Sequence, residues 1–367
     1  MKERYYIWGT GNMTKYLQPY ISVVMKQKEF IGYIDNDSTK TGTNFLGMPV
    51  FSPVVLESDK DCYILILAMA YEEIHKQIDE NYPWMQKRIF DLTIFIKHRL
   101  LNRYRKSRLD DTEIEEVLKY LEHNDLQIFN YSFTEKYKKL EISVEYDADK
   151  KLFFVLHEGK RLYFSKKYKT RETVAAYYRS ILIEQDEQSP HCYLVDTFQI
   201  EKGAIAVDAG AAEGNFALSV IERVKKIYIF EPDEEWQEAL ACTFAPYREK
   251  VVLVNKLISD YEDEITTTLD ATIKEDEINF IKVDTEGEEY HVLCGATEHL
   301  KKSKNIKCAI CTYHQEFDYK IIEDTMTKLG FNTYPSKGYM WFPYDKHIIY
   351  SLPTLRRGLL RAEKHER

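Results

Sequence analysis

Tryptophan (4), cysteine (6), proline (10) and glycine (14) are scarce in this 367-residue chain, and no long hydrophobic run is present. Cys62, Cys192, Cys242, Cys294, Cys308 and Cys311 are scattered through apolar stretches rather than spaced as a disulfide framework or a zinc site, so reduced core thiols are expected. Cys308 and Cys311 have CxxC spacing, but they fall in a segment that reads as a strand, where residues three apart face opposite sides. The longest apolar stretch, Tyr63 to Tyr71, is under half of a bilayer span, and the first residues carry no apolar signal core. A cytoplasmic chain without a transmembrane segment is the expectation. Positive charge is also short: 51 Lys and Arg against 60 Asp and Glu give a formal charge of −9. A general nucleic-acid binder needs a dominant basic field, so no nucleic-acid partner is expected.

What the chain does have is enough apolar residue, 44% with 30% charged, to bury ordinary cores, and a length that suggests two domains plus connectors. Tyrosine is abundant at 28. That suits a ring-binding surface, and half-buried structural tyrosines explain it equally well. No internal repeat or low-complexity tract is present.

Residues 1–96 read as alternating strands and helices, which implies a parallel sheet with helices on its faces. Arg4–Trp8 runs into Gly9-Thr10-Gly11; Phe30–Ile34 ends in Asp35-Asn36-Asp37; Asp61–Ala68 and Arg88–Asp91 complete the set. Residues 97–195 read as a helical and β-hairpin connector, with a basic run from Lys97 to Arg108 and an Asp110/Glu113 capping box before a helix bearing Ile114, Val117 and Leu121. A second αβ series occupies 196–352 and ends in a predicted hairpin, Phe331–Pro335 with His347–Tyr350. The basic stretch 353–367 reads as a solvated tail.

Within the second series, Ala204–Val207 leads into Asp208-x-Gly210-x-x-x-Gly214, with Asn215 placed to cap the following helix. Glu231 closes the next strand, 17 residues after Gly214. Glycines let a backbone approach a ligand without a Cβ clash, and an acid at the next strand end can accept both ribose hydroxyls of an adenosine. Dinucleotide and S-adenosylmethionine enzymes share this geometry. The GxxxG spacing, the absence of an anion-friendly residue at Asp208, and the closing antiparallel hairpin favour the methyl donor.

These residues carry a resemblance. Val207 to Leu218, Phe230-Glu-Pro-Asp233, Thr268-Leu-Asp270, and Lys282-x-Asp284-x-Glu286-Gly287-x-Glu289 followed by Val292-Leu-Cys-Gly-Ala296 resemble the FkbM family of S-adenosylmethionine-dependent methyltransferases over roughly residues 180–350. The resemblance implies an α/β fold with a class I methyltransferase sheet, S-adenosylmethionine as cofactor held by Asp208, Gly210, Glu213, Gly214, Asn215 and Glu231, and most often O-methylation of a sugar or polyketide-like hydroxyl. Sugar, nucleotide-sugar or glycan acceptors are the implied partners, and a homo-oligomer is possible.

In an open α/β sheet the reacting groups lie beyond the carboxyl ends of the strands. Asp284 and His314 arrive there from neighbouring strands as base candidates, with Glu286 positioning substrate. The same three groups could hold a divalent cation. Upstream, Glu184 and His191 belong to a polar segment that could cover the cofactor cleft, and Lys282 is expected to pair with an acid.

The N-terminal stretch, Ile7-Trp-Gly-Thr-Gly11, Gly32-Tyr-Ile-Asp-Asn-Asp37 and Gly47-Met-Pro-Val50, is similar to the Rossmann-like domains that precede sugar acyltransferases. That likeness makes Gly9, Gly11 and Asp35 candidate nucleotide contacts, so the chain is expected to hold two Rossmann-like domains. Two alternatives stand beside methyl transfer: a nucleotide-sugar oxidoreductase using the N-terminal site, and a non-catalytic carbohydrate-binding or assembly subunit.

Overall fold

In the computed structural model, which describes residues 3–12, 14–15, 17–18, 21, 25, 27–68, 71–107, 110–343 and 353–365, the apolar strands predicted near the N-terminus form one sheet. Strands β1 (Arg4–Trp8), β2 (Glu29–Ile34), β3 (Asn44–Phe45), β4 (Met48–Phe51), β5 (Tyr63–Ile66) and β6 (Ile89–Asp91) lie in the order β3-β4-β2-β1-β5-β6, and every pair except β3·β4 is parallel. Central strands that are covered on both faces need continuous apolar sequence, and Ile64, Leu65 and Ile66 of β5 are fully buried.

The chain divides into two units, residues 1–127 with 343–354 and residues 128–342 with 355–367. The expected break at residue 96 is therefore moved. Helix Leu92–Ser107 runs through it, Ile96 and Leu100 are buried, and helix Thr112–His123 buries Ile114, Val117 and Leu121. As far as Ser107 the basic run therefore lies on a helix that buries Ile96 and Leu100, and Arg108 lies outside the described residues. The second helix is capped by Asp111, which accepts from the Glu113 and Ile114 amides, one residue later than predicted.

The second unit opens with a meander, β7 (Glu145–Asp147), β8 (Leu152–His157) and β9 (Lys160–Tyr163), followed by helix Arg171–Glu184, held at its start by a Thr170/Thr173 capping box. Its main sheet contains β10 (Ile205–Ala209), β11 (Lys226–Phe230), β12 (Val251–Val254), β15 (Phe280–Val283), β16 (Ile306–Cys311), β17 (Asn332–Pro335) and β20 (Leu359–Lys364), in the order β12-β11-β10-β15-β16-β20-β17. Short pairs β13 (Leu257–Ile258) with β14 (Thr266–Thr267), and β18 (Met340–Trp341) with β19 (Leu355–Arg356), lie outside it.

The first five strands of this order are parallel, and β20 runs antiparallel between β16 and β17. The antiparallel close is as expected, but its partner differs. His347–Tyr350 lies outside the described residues, and β17 pairs with residues 360–363 of the stretch read as a solvated tail. Leu359, Leu360 and Ala362 are fully buried and supply the apolar sequence that the basic neighbours mask. Among those neighbours, Arg361 donates to the Cys192 carbonyl at 2.6 Å and Arg356 to the carbonyls of Tyr313 and His314 at 2.7 and 2.9 Å. Cys62, Cys192, Cys308 and Cys311 are free and buried, while Cys242 and Cys294 are free and half-buried.

Candidate active site

The glycine turn sits at the carboxyl end of β10. Gly210 has φ +75°, and a Cβ there would overlap the Asp284 carbonyl oxygen; Gly214 has φ +84°, and a Cβ would press on Leu240 and Phe244 at 2.9 and 2.8 Å. Both positions therefore demand glycine. Gly214, not Asn215, occupies the N-cap of helix Asn215–Val220, and Asn215 instead accepts from the Phe216 amide at 2.7 Å. The turn is gripped from the neighbouring strand by Glu231, whose carboxylate accepts from the amides of Ala212 (2.7 Å) and Asp233 (2.9 Å). Burial pushes the Glu231 carboxyl up, against the pull of those two amides.

Asp208 does not face an open cleft as expected. It is fully buried opposite Lys282 in the β10·β15 register, with their charged atoms 3.0 Å apart. Lys282 also donates to the Gly210 carbonyl oxygen, so the pair fastens the turn from beneath. Burial opposes the charge on Lys282, but Asp208 and Asp284 outweigh it and hold the ammonium protonated. The expectation that Lys282 pairs with an acid is met. The same lysine interacts electrostatically with Glu184, Glu213 and Glu231. One buried cation thus stands among five carboxyl groups. Glu213 accepts from the Tyr177 hydroxyl at 2.8 Å, and burial raises its pKa to about 7. Half-buried Glu184, at the end of its helix, is also raised by burial, and it feels the charges of His191 and Asp284.

Beyond β15 and β16, Asp284, His314 and His191 come together. Asp284 accepts from the hydroxyls of Tyr193 (2.6 Å) and Tyr313 (3.2 Å), and lies 3.5 Å from His191 Nε2 and 3.6 Å from His314 Nε2. Burial alone would raise its carboxyl. The hydrogen bond from His191, the charge of Lys282 and, in their protonated forms, the charges of His191 and His314 hold it well below the usual carboxylate range. A polar chain feeds it: Gln185 Nε2 donates to His191 Nδ1 (3.3 Å), and His191 Nε2 to the Tyr313 hydroxyl (3.1 Å). Glu286 is not drawn in. It is exposed at φ +54° on the turn before helix Glu289–Cys294.

Glu289, which the sequence reading left without a role, is 1% exposed beside this group. Its Oε1 accepts from the amides of Thr285 (2.8 Å) and Gly287 (3.3 Å) and lies 3.0 Å from His314 Nδ1. The signal was present as the last glutamate of the Lys-x-Asp-x-Glu-Gly-x-Glu segment. The expected cation set of Asp284, Glu286 and His314 is not assembled. Asp284, Glu289 and His314 do place one ligand-type atom each within 4.8 Å of one another. The two ring nitrogens of His314 face different carboxylates, Nδ1 toward Glu289 and Nε2 toward Asp284.

In the first unit, Gly9 (φ +123°) and Asp35 meet at the ends of β1 and β2, while a Cβ on Gly11 would meet nothing within 4 Å. The Asp35 carboxylate accepts from the Thr10 hydroxyl, from Lys40 at 3.0 Å and from the Asp37 amide at 2.9 Å.

A parallel sheet with a glycine turn after its first strand, an acid at the end of the second, and an antiparallel strand inserted near one edge defines a class I methyltransferase fold. Residues 248–333 match the methyltransferase FkbM domain, and residues 1–90 match the C2185-like N-terminal domain. Within the second unit, residues 248–333 are thus similar to the FkbM methyltransferase domain. Among solved structures the chain is similar to a methyltransferase FkbM from Methylobacillus flagellatus KT, at 16% identity and TM-score 0.42, over 99% of this chain and 90% of that one. It is similar over 45% of its length, and 90% of the other's, to a putative methyltransferase from Streptococcus mutans in complex with SAH (15% identity, TM-score 0.32). An rRNA methylase from Streptococcus thermophilus matches over 46% and 90% (17% identity, TM-score 0.31). No curated protein matches the sequence significantly.

Proposed function

We propose that this methyltransferase uses S-adenosylmethionine to methylate a hydroxyl of a sugar or glycan intermediate. The observation that carries the cofactor assignment is the chemistry of the cleft: five carboxyl groups and Lys282 lie around the glycine turn, with Asp284 held ionised and the other four pushed toward the neutral form by burial, a push that a cationic ligand would oppose. Such a site disfavours the pyrophosphate of a dinucleotide and suits a ligand that carries a sulfonium and an ammonium. Gly210 and Gly214 leave a cradle that a Cβ would fill. Glu231, held by two amides yet with lone pairs left on both oxygens, would take the ribose hydroxyls. Glu213 and Glu184 would face the donor's positive charge. When bound, the donor supplies an electrophilic methyl group.

This chain's own residues align the acceptor and take its proton. Asp284, saturated by hydrogen bonds and held ionised, is a weak base and acts as a fixed negative charge. His314 accepts the proton at Nε2, which lies 3.6 Å from the Asp284 carboxylate that would stabilise the imidazolium.

The assignment is tested by calorimetry with S-adenosylmethionine and with its demethylated product, followed by a radiolabelled methyl-transfer screen over nucleotide sugars and lipid-linked glycans. Saturable binding of both cofactor forms, and label in a saccharide product, are expected. Stabilisation by a nicotinamide dinucleotide in place of either compound would overturn the assignment.

A further inference from the structure

We infer that Glu289 is the positioning residue for His314, fixing the proton on Nδ1 so that Nε2 faces the acceptor as the unprotonated base. The inference rests on the methyl-transfer reading for its purpose, but its geometry stands alone. His314 is 9% exposed, and its Nδ1 is sealed from solvent. The group it faces is Glu289 Oε1 at 3.0 Å, an ion-pair contact whose angle does not meet hydrogen-bond geometry, so a small ring rotation is needed to form the bond. Nε2 points to the other side, toward Asp284. A neutral imidazole has one N–H, and the nitrogen that faces a buried carboxylate is where that proton is most stable. Asp284 also attracts a proton to Nε2, but its charge is already shared among Tyr193, Tyr313, His191 and Lys282.

Glu289 itself is pinned. The Thr285 and Gly287 amides hold Oε1, so the carboxylate cannot swing away from the ring. The remaining groups around His314 act from three directions. Asp318 adds negative charge from helix Asp318–Lys328. Arg356 of β19 holds the His314 carbonyl, and Phe342 packs edge-on to the ring at 5.3 Å. Burial lowers the imidazole's proton affinity, and the two carboxylates more than restore it. When Nε2 takes the hydroxyl proton, the imidazolium lies between Glu289 and Asp284, which stabilise it without accepting the proton.

A merely structural Glu289, present to hold the turn at 285–287, would leave the state of His314 untouched. The test is therefore a long-range ¹H–¹⁵N spectrum of the full-length protein labelled in histidine, with His314→Asn identifying the signal. The wild type is expected to show the Nδ1–H tautomer above the midpoint of its titration. Glu289→Gln keeps an acceptor for both amides and loses the charge, so the proton affinity of His314 should fall about tenfold. An Nε2–H tautomer in the wild type, or an unchanged midpoint in Glu289→Gln, would overturn the inference and leave Glu289 as a turn cap. Calorimetry with S-adenosylhomocysteine on both proteins reports separately on the cofactor reading. Equal affinities are expected, and no binding to the wild type would defeat the methyl-transfer reading while the spectrum still decides the role of Glu289.

Discussion

Buried carboxylates decide most of the chemistry proposed for this cleft, and they differ in what holds them. Asp284 is surrounded by donors and stays ionised, whereas Glu213 has one tyrosine hydroxyl and is raised by burial to about 7. A raised folded pKa gives stability that is fully present below the unfolded value and is lost as pH rises through the folded value. The window for Glu213 therefore runs from its ordinary 4.5 to about 7. Glu213→Gln keeps the acceptor for Tyr177 and removes the titration. Relative to wild type it should gain stability between about pH 5 and about pH 8, with a ceiling of roughly 3 kcal/mol, measured by urea denaturation at each pH. A difference that does not change with pH would contradict the burial argument. Because a bound cation favours the ionised form, donor binding near neutral pH should also release a fraction of a proton.

Elements are where sequence and structure agree least evenly. The glycine turn, Glu231 and the strand ending in Asp284 were legible because each rests on local rules: positive φ, apolar runs and an acid at a strand end. Glu289 and Tyr313 were not, since their roles come from side chains that meet across a turn or between strands. Strand β20 was misread for a different reason. Its three charged residues match its three apolar ones, and only long-range pairing with β16 and β17 shows that Leu359, Leu360 and Ala362 complete the sheet. Leu360→Ala should cost about 2–5 kcal/mol in denaturant unfolding, as expected of a fully buried leucine. A solvated tail would lose almost nothing. Gly210→Ala forces a methyl group onto the Asp284 carbonyl at φ +75°, so it should abolish donor binding even in protein that still folds. Retained affinity would mean that the turn does not form the cradle.

Over the whole molecule, an acidic chain of two α/β units carries a class I methyltransferase fold in the second. No helix among the described residues is long and apolar enough to cross a membrane. The opening scarcity of positive charge reappears at the site, where Lys282 stands alone among five carboxyl groups and the balance favours a cationic ligand over an anionic one. Calorimetric titration of the full-length chain with S-adenosylhomocysteine, alongside Glu231→Ala, tests this most directly. Loss of hydrogen bonds to a charged group costs about 1.5–3 kcal/mol, so saturable micromolar binding to the wild type should weaken at least about tenfold in the variant. Absence of binding to the wild type, or equal binding by both proteins, would contradict the account.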